Sequence, residues 1–87
     1  MFDPDRPYCC SPSVALRPEQ FGALAYHFGT RRLSFLKTPA LVELVTTLDD
    51  HVDVHAALAA SPIPQAQHGA YLAALGGLAD AGTIEPR

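Results

Sequence analysis

Between Val14 and Lys37 the chain alternates along a period of two, and at Thr38-Pro39 that pattern stops. Period-two alternation belongs to strands, whose successive side chains point to opposite faces. A threonine followed by proline marks a helix start. The threonine side chain supplies the N-cap oxygen, and proline suits the first helical position. The chain is therefore constrained to complete a small antiparallel sheet before its helices begin.

Within that stretch, Val14–Arg17 reads as a short strand and Pro18-Glu19-Gln20 as a turn. Phe21–Phe28 reads as the second strand and Arg31–Lys37 as the third. Gly29-Thr30 fits a two-residue loop of type II′, with glycine at the first central position. That loop sets Phe28 opposite Arg31, Tyr26 opposite Leu33 and Leu24 opposite Phe35. Leu24, Tyr26, Leu33 and Phe35 then share a face and are expected to build the core. His27, Arg32, Ala25, Ser34, Ala23 and Leu36 share the other, expected to be at least partly wet. Leu36 is the exception there, to be turned inward by a bulge or by the first helix.

After the cap, Leu41, Leu44, Val45 and Leu48 recur at helical spacing. Asp49-Asp50 ends that helix, and Asp53 caps a short second one with Val54, Ala57 and Leu58 inward. Ser61-Pro62-Ile63-Pro64 breaks the chain. A third helix runs from about Gln65 to Ala81, stopped by Gly82, with Tyr71, Leu72, Leu75, Leu78 and Ala79 on its apolar side. Ile84 is expected to fold back onto the core. Three strands then three helices make an α+β domain of winged-helix type. Residues 1–12, with Pro4, Pro7 and Pro12, read as an extended arm, part of it near Tyr8-Cys10 lying along the sheet. Residues 13–87 read as the domain itself.

At 87 residues the chain is expected to bury roughly 60–65% of its unfolded surface, enough for one thin core. It is 48% hydrophobic and 17% charged, which argues against disorder. No apolar run approaches the ~20 residues of a membrane span, and the acidic, proline-bearing start is unlike a signal peptide. Cys9 and Cys10 are adjacent and have no other cysteine to pair with, which fits reduced thiols in the cytoplasm. His51 and His55 are four apart, but Asp53 starts a new helix between them and no third ligand sits at metal spacing. No nucleophile constellation and no glycine-rich loop after a strand is present, so neither catalysis nor nucleotide binding has support.

The net charge is −3, unevenly spread. Arg6, Arg17, Arg31, Arg32 and Lys37 stand in the sheet half, and from Thr38 onward only Arg87 is basic. A winged-helix shape raises DNA binding, as in a small transcription factor. Duplex binding depends on several lysine or arginine contacts to phosphate, and the helices offer almost none. Arg31, Arg32 and Lys37 on a terminal strand have two readings. Charge on an edge strand blocks unwanted pairing between sheets. Alternatively the edge is open for one peptide, added as a further strand, with nearby arginines favouring an acidic one. Gly76-Gly77 inside the third helix also has two readings: close packing against another element, or a groove left for a ligand backbone.

The segment VALRPEQFGALAYHFGTRRLSFLKTPALVELV, with AYLAALGGLADAGTIEPR downstream, closely resembles the MftB family of mycofactocin biosynthesis chaperones. The likeness covers roughly residues 8–87. A broader likeness is to PqqD-like precursor-peptide recognition elements, in which Leu36-Lys37 falls where Leu-Asn often precedes the first helix. Cys9-Cys10 and the stretch before them depart from the pattern. The resemblance implies a non-catalytic domain that binds the leader of a ribosomally made precursor peptide. It would present that peptide to a radical S-adenosylmethionine maturase, whose iron–sulfur clusters leave this chain with no cofactor of its own. The resemblance also implies leader binding beside the third strand and against the third helix. Carried onto this chain, the strand is Arg32, Leu33, Ser34, Phe35 and Leu36. Arg31, Arg32 and Lys37 would attract leader carboxylates, and Tyr71, Leu75 and Leu78 would form an apolar wall.

Overall fold

The computed structural model describes residues 1–87. Its elements are β1 (Tyr8–Cys10), β2 (Val14–Pro18), β3 (Ala23–His27), β4 (Leu33–Leu36), α1 (Pro39–Thr47), α2 (Val54–Ala60), α3 (His68–Asp80) and β5 (Ile84–Pro86). Short 3-10 turns follow α1 and precede α3. The α+β order is the expected one, with a three-stranded antiparallel sheet β2-β3-β4 ahead of three helices. A second, two-stranded sheet joins β1 to β5. No helix is long and apolar enough to cross a membrane.

The helix starts form as their sequences dictate. The Leu41 N–H donates to Thr38 Oγ1 at 3.1 Å, with Pro39 in the first turn. The Ala56 N–H donates to Asp53 Oδ1 at 2.7 Å. Each cap satisfies a backbone donor that the helix itself leaves unpaired, worth about 1 kcal/mol. Leu41, Leu44 and Val45 of α1 and Val54, Ala57 and Leu58 of α2 are buried together with Leu75, Leu78 and Ile84. Gly82, at φ 79, ends the α3 turn, and Ile84 folds back into the core.

The expected register is present: Tyr26 faces Leu33 and Leu24 faces Phe35. The loop that produces it is different. Four residues, 28–31, close the hairpin, with the His27 N–H on Arg32 O at 3.0 Å and the Arg31 N–H on His27 O at 2.7 Å. The left-handed residue is Arg31, at φ 61, and Gly29 has no positive φ. His27 Nδ1 accepts from the Gly29 and Thr30 N–H groups at 3.0 and 3.1 Å, holding the loop from below. A two-residue and a four-residue loop share the same midpoint between residues 29 and 30, so the pairing beyond them is identical.

At the other turn, Glu19 and Gly22 exchange both backbone hydrogen bonds, leaving Gln20 and Phe21 at the tip. The second strand therefore starts at Ala23 rather than Phe21. Gly22, at φ 158, lies so close to the next strand that a Cβ there would stand 2.1 Å from the Leu36 carbonyl oxygen.

The faces of the sheet are the reverse of the sequence expectation. Ala23, Ala25 and Leu36 are buried, whereas Leu33, Phe35 and Phe28 are exposed and Leu24 and Tyr26 only half-buried. The small residues let the sheet approach the rest of the fold closely. Ser34 Oγ accepts a hydrogen bond from buried Thr83 at 3.2 Å, and the His27 ring lies against Gly82. No bulge is needed for Leu36, which is inward because its whole face is inward. Tyr8–Cys10 also departs from expectation. It is a strand, but its partner is Ile84–Pro86 and not the three-stranded sheet. Tyr8 is buried there, its hydroxyl accepting from the Asp3 N–H, and Phe2 packs on its ring at 5.1 Å.

Candidate functional site

β4 is an edge strand. Because His27 donates to Arg32 O, the pairs 27/32, 25/34 and 23/36 are the hydrogen-bonded ones. Antiparallel ladders alternate, so Leu33 and Phe35 turn their backbone N–H and C=O groups away from β3, to the open side. That open edge faces α3 across a groove of about 640 Å³. Arg32, Ser34, Phe35, Lys37 and Thr38 line the strand side, with Leu41 behind them. Gln67, Ala70, Tyr71, Ala74, Gly77, Leu78 and Ala81 line the helix side.

The helix side is a consequence of spacing. Residues 70, 74, 77 and 81 recur by four, three and four, which sets them on one face of a helix. All four are alanine or glycine, so the face has no bulk and the groove stays empty. A Cβ on Gly77 would meet nothing within 4 Å, which favours the groove reading at that position. Gly76 differs: its Cβ would touch the Phe2 ring at 3.5 Å, an ordinary packing contact. Thr38 Oγ1 and the Tyr71 hydroxyl are hydrogen-bonded at 2.9 Å, joining the cap of α1 to α3 within the groove lining.

Of the residues singled out from sequence, the groove brings together Arg32, Ser34, Phe35, Lys37, Tyr71 and Leu78. Leu36 and Leu75 are fully buried in the core beneath it. The Leu33 side chain is exposed, and Arg31 sits in the hairpin loop. Arg31, Arg32 and Lys37 are exposed and make no ion pair, while Arg6 and Arg17 pair with Asp3 and Glu19. Sequence reasoning singled out Gly77 for a groove but missed Ala70, Ala74 and Ala81 as the rest of that lining. Their four-three-four spacing was the available signal.

Away from the groove several polar groups have structural partners. The His68 ring bonds the Ile63 carbonyl at 2.9 Å, and His55 lies 3.4 Å from Asp5 at the surface. Arg87 donates to the carbonyls of Tyr8 and His51, pinning β5 to its surroundings. Cys9 and Cys10 are free thiols on β1. Both are pushed above the ordinary thiol range, first by burial. Glu85 adds to this at Cys9, and Cys9 itself adds to it at Cys10. Raised thiols are poor nucleophiles at neutral pH. No three His, Cys, Asp or Glu side chains gather as a metal site would require.

Comparison with known proteins places the chain among relatives. Residues 7–85 match the sequence model of the Peptide chaperone MftB family. A peptide chaperone MftB from Mycolicibacterium smegmatis is 49% identical over 98% of this chain and 83% of its own length. Those from Mycobacterium ulcerans and Mycobacterium tuberculosis are 48% and 46% identical, each over 99% of this chain and 79% of their own lengths. No solved structure matches the chain. With a family match across nearly its whole length and relatives close to half identical, this chain belongs to the peptide chaperone MftB family.

Proposed function

We propose that the chain is a non-catalytic chaperone that takes the leader of a ribosomally made precursor peptide into the β4–α3 groove as an added strand. It then presents that peptide to a radical S-adenosylmethionine maturase in mycofactocin biosynthesis. The observation that carries the reading is the open β4 edge facing the small-residue side of α3. A peptide laid there finds the free backbone groups of Leu33 and Phe35 on one side and shallow pockets at Ala70, Ala74 and Gly77 on the other. Main-chain pairing supplies affinity, and the alternate side chains that drop toward the helix supply specificity.

The charges favour an acidic leader. Arg32 and Lys37 line the groove and Arg31 stands at its loop end, none of them engaged with a carboxylate of this chain. Tyr71 and Leu78 form the apolar wall, and buried Leu36 and Leu75 hold the two sides of the groove in place from beneath. The names of the relatives, peptide chaperones, agree with a domain that binds and carries out no chemistry itself. Two free thiols suit the cytoplasm, where precursor and maturase would be met.

Titration calorimetry against the leader peptide and against duplex DNA tests the reading. A leader complex in the micromolar range or tighter, of about −8 kcal/mol or better, is the expected result. No heat with the leader together with salt-sensitive DNA binding would return the chain to the transcription-factor class.

A further inference from the structure

A strand added at the β4 edge would meet two different surfaces, one on each of its faces. Residues directly opposite in adjacent strands put their side chains on the same face. The free hydrogen-bonding groups of β4 belong to Leu33 and Phe35, so a ligand residue opposite either one turns outward. A ligand residue opposite Ser34 turns inward, toward α3.

Two hydrogen bonds fix how the strand is aligned with the helix. Thr83 Oγ1 donates to Ser34 Oγ at 3.2 Å just beyond the C-terminal end of α3, and Thr38 Oγ1 bonds the Tyr71 hydroxyl at 2.9 Å in its first half. β4 therefore runs antiparallel to α3. A strand advances about 3.3 Å per residue and a helix about 1.5 Å, so one step along β4 passes roughly two residues of α3. From the Thr38–Tyr71 contact, that rate brings Phe35 level with Gly77. There the helix has no side chain, and a Cβ on Gly77 would meet nothing within 4 Å. On the outer side of the same level Phe35 is exposed, with exposed Leu33 on its face and the Phe21 ring packed against it at 6.1 Å. An inward notch and an outward apolar ledge thus stand at one point of the groove.

We infer that the ligand strand is read on both faces at this level: one apolar side chain turns inward into the notch at Gly77, and its neighbour in sequence turns outward against Phe35 and Leu33. The inference rests on the proposed strand addition and deepens it by naming the pattern the ligand must carry. A groove read only from its inner side selects apolar residues two apart, the period of a strand. This one selects an adjacent apolar pair, in a segment whose carboxylates lie toward Arg32 at one end and Lys37 at the other. Those cations are separated by about 16 Å of strand, which leaves room for the pair between them. The peptide that pairs with the β4 backbone also covers Leu33 and Phe35, so no second partner is needed at this edge.

The test measures leader-peptide binding by titration calorimetry for the full chain and its variants. Gly77→Leu fills the notch and should weaken binding more than about tenfold, the scale of one buried leucine-sized side chain. Its urea midpoint should hold or rise, since leucine is the better helix former and a Cβ there has open space. Phe35→Ser and Leu33→Ser, at exposed positions, should each weaken binding about three- to fivefold, the scale of an apolar cross-strand pair. Phe28→Ser, in the hairpin loop against Tyr26, should leave binding unchanged. Alanine replacement along the leader should give its two largest apolar losses at neighbouring positions. Largest losses two residues apart overturn the inference, and so does parent-like binding by both β4 serine variants or by a folded Gly77→Leu. If Gly77→Leu fails to fold, Gly77→Ala takes its place, with a smaller loss expected. Amide hydrogen exchange keeps the proposed function separate, because leader binding should slow the Leu33 and Phe35 amides. A leader that does not bind, or binds without slowing them, means that strand addition itself fails, and that result is read before any variant is made.

Discussion

The inner face of the three-stranded sheet carries Ala23, Ala25 and Leu36, none more than 1% exposed, while the outer face carries Leu33 and Phe35, 60% and 56% exposed. By residue hydrophobicity alone the two would be exchanged. The difference shows that layer geometry decides which face is buried. The inner face must lie close to the chain at Gly82-Thr83, where only small side chains and one well-placed leucine fit. The outer face has no layer above it within this fold, so its bulk stays in solvent. Large exposed residues on such a face point to partners, where the same residues inward would point to stability.

Truncation should break this symmetry most sharply. Leu36→Ala should cost about 3 kcal/mol, because the side chain is wholly enclosed and its neighbours are fixed by two packed layers. Phe35→Ala, one residue earlier and on the other face, should cost less than about 1 kcal/mol in urea unfolding despite removing a larger side chain. Equal losses at the two sites would mean that the outer face is covered within the monomer. Enlargement sharpens the comparison from the other direction. Ala25→Leu inserts three carbons where the sheet is in closest contact and should cost about 1–3 kcal/mol. Ala15→Leu, at an exposed β2 position, should leave the urea midpoint nearly unchanged.

Much of this was legible in the sequence, and what was not follows a physical pattern. The strands, the register, the Thr38 and Asp53 caps and the return of Ile84 are visible because each rests on local pattern or short-range chemistry. The burial of the Ala23 face is not local, since it depends on what packs against the sheet. Leu36 was its reporter: a leucine just before a helix start must point under that helix, and period two carries Ala23, Ala25 and Ser34 with it. The β1–β5 pairing joins residues from opposite ends of the chain and leaves no short-range trace. At the candidate site, cations on an edge strand stand out in a sequence. The Gly76-Gly77 pair stands out as well, but a wall of Ala70, Ala74 and Ala81 does not, because small side chains give hydrophobic periodicity little to register.

Charge reversal at the groove separates binding from folding. Arg31→Glu with Arg32→Glu should weaken leader binding about tenfold, equivalent to ~1.4 kcal/mol, since two unpaired cations become two repelling anions. Both side chains are exposed, so the circular dichroism spectrum and the urea midpoint should hold. Unchanged leader affinity would remove these two arginines from the site and leave the backbone edge, Lys37 and the apolar wall to account for binding.

The smallest predicted effect is the most diagnostic, because stability and binding should move in opposite directions. Arg31 holds a left-handed φ of 61 at the hairpin loop, a conformation that costs a residue with a Cβ about 1–2 kcal/mol. Glycine has no such cost there, although its freer unfolded state offsets about 0.5–1 kcal/mol of the gain. Arg31→Gly should therefore stabilise the fold by about 0.5 kcal/mol, seen as a melting temperature roughly 2–4 °C higher. The same change removes a cation from the loop end of the groove and should lower affinity for an acidic leader. A variant that is merely damaged loses both properties, and one that is merely better packed loses neither. Higher stability with weaker binding would mean that an arginine is held in a strained loop where glycine would be more stable, as a charge needed for a ligand would require.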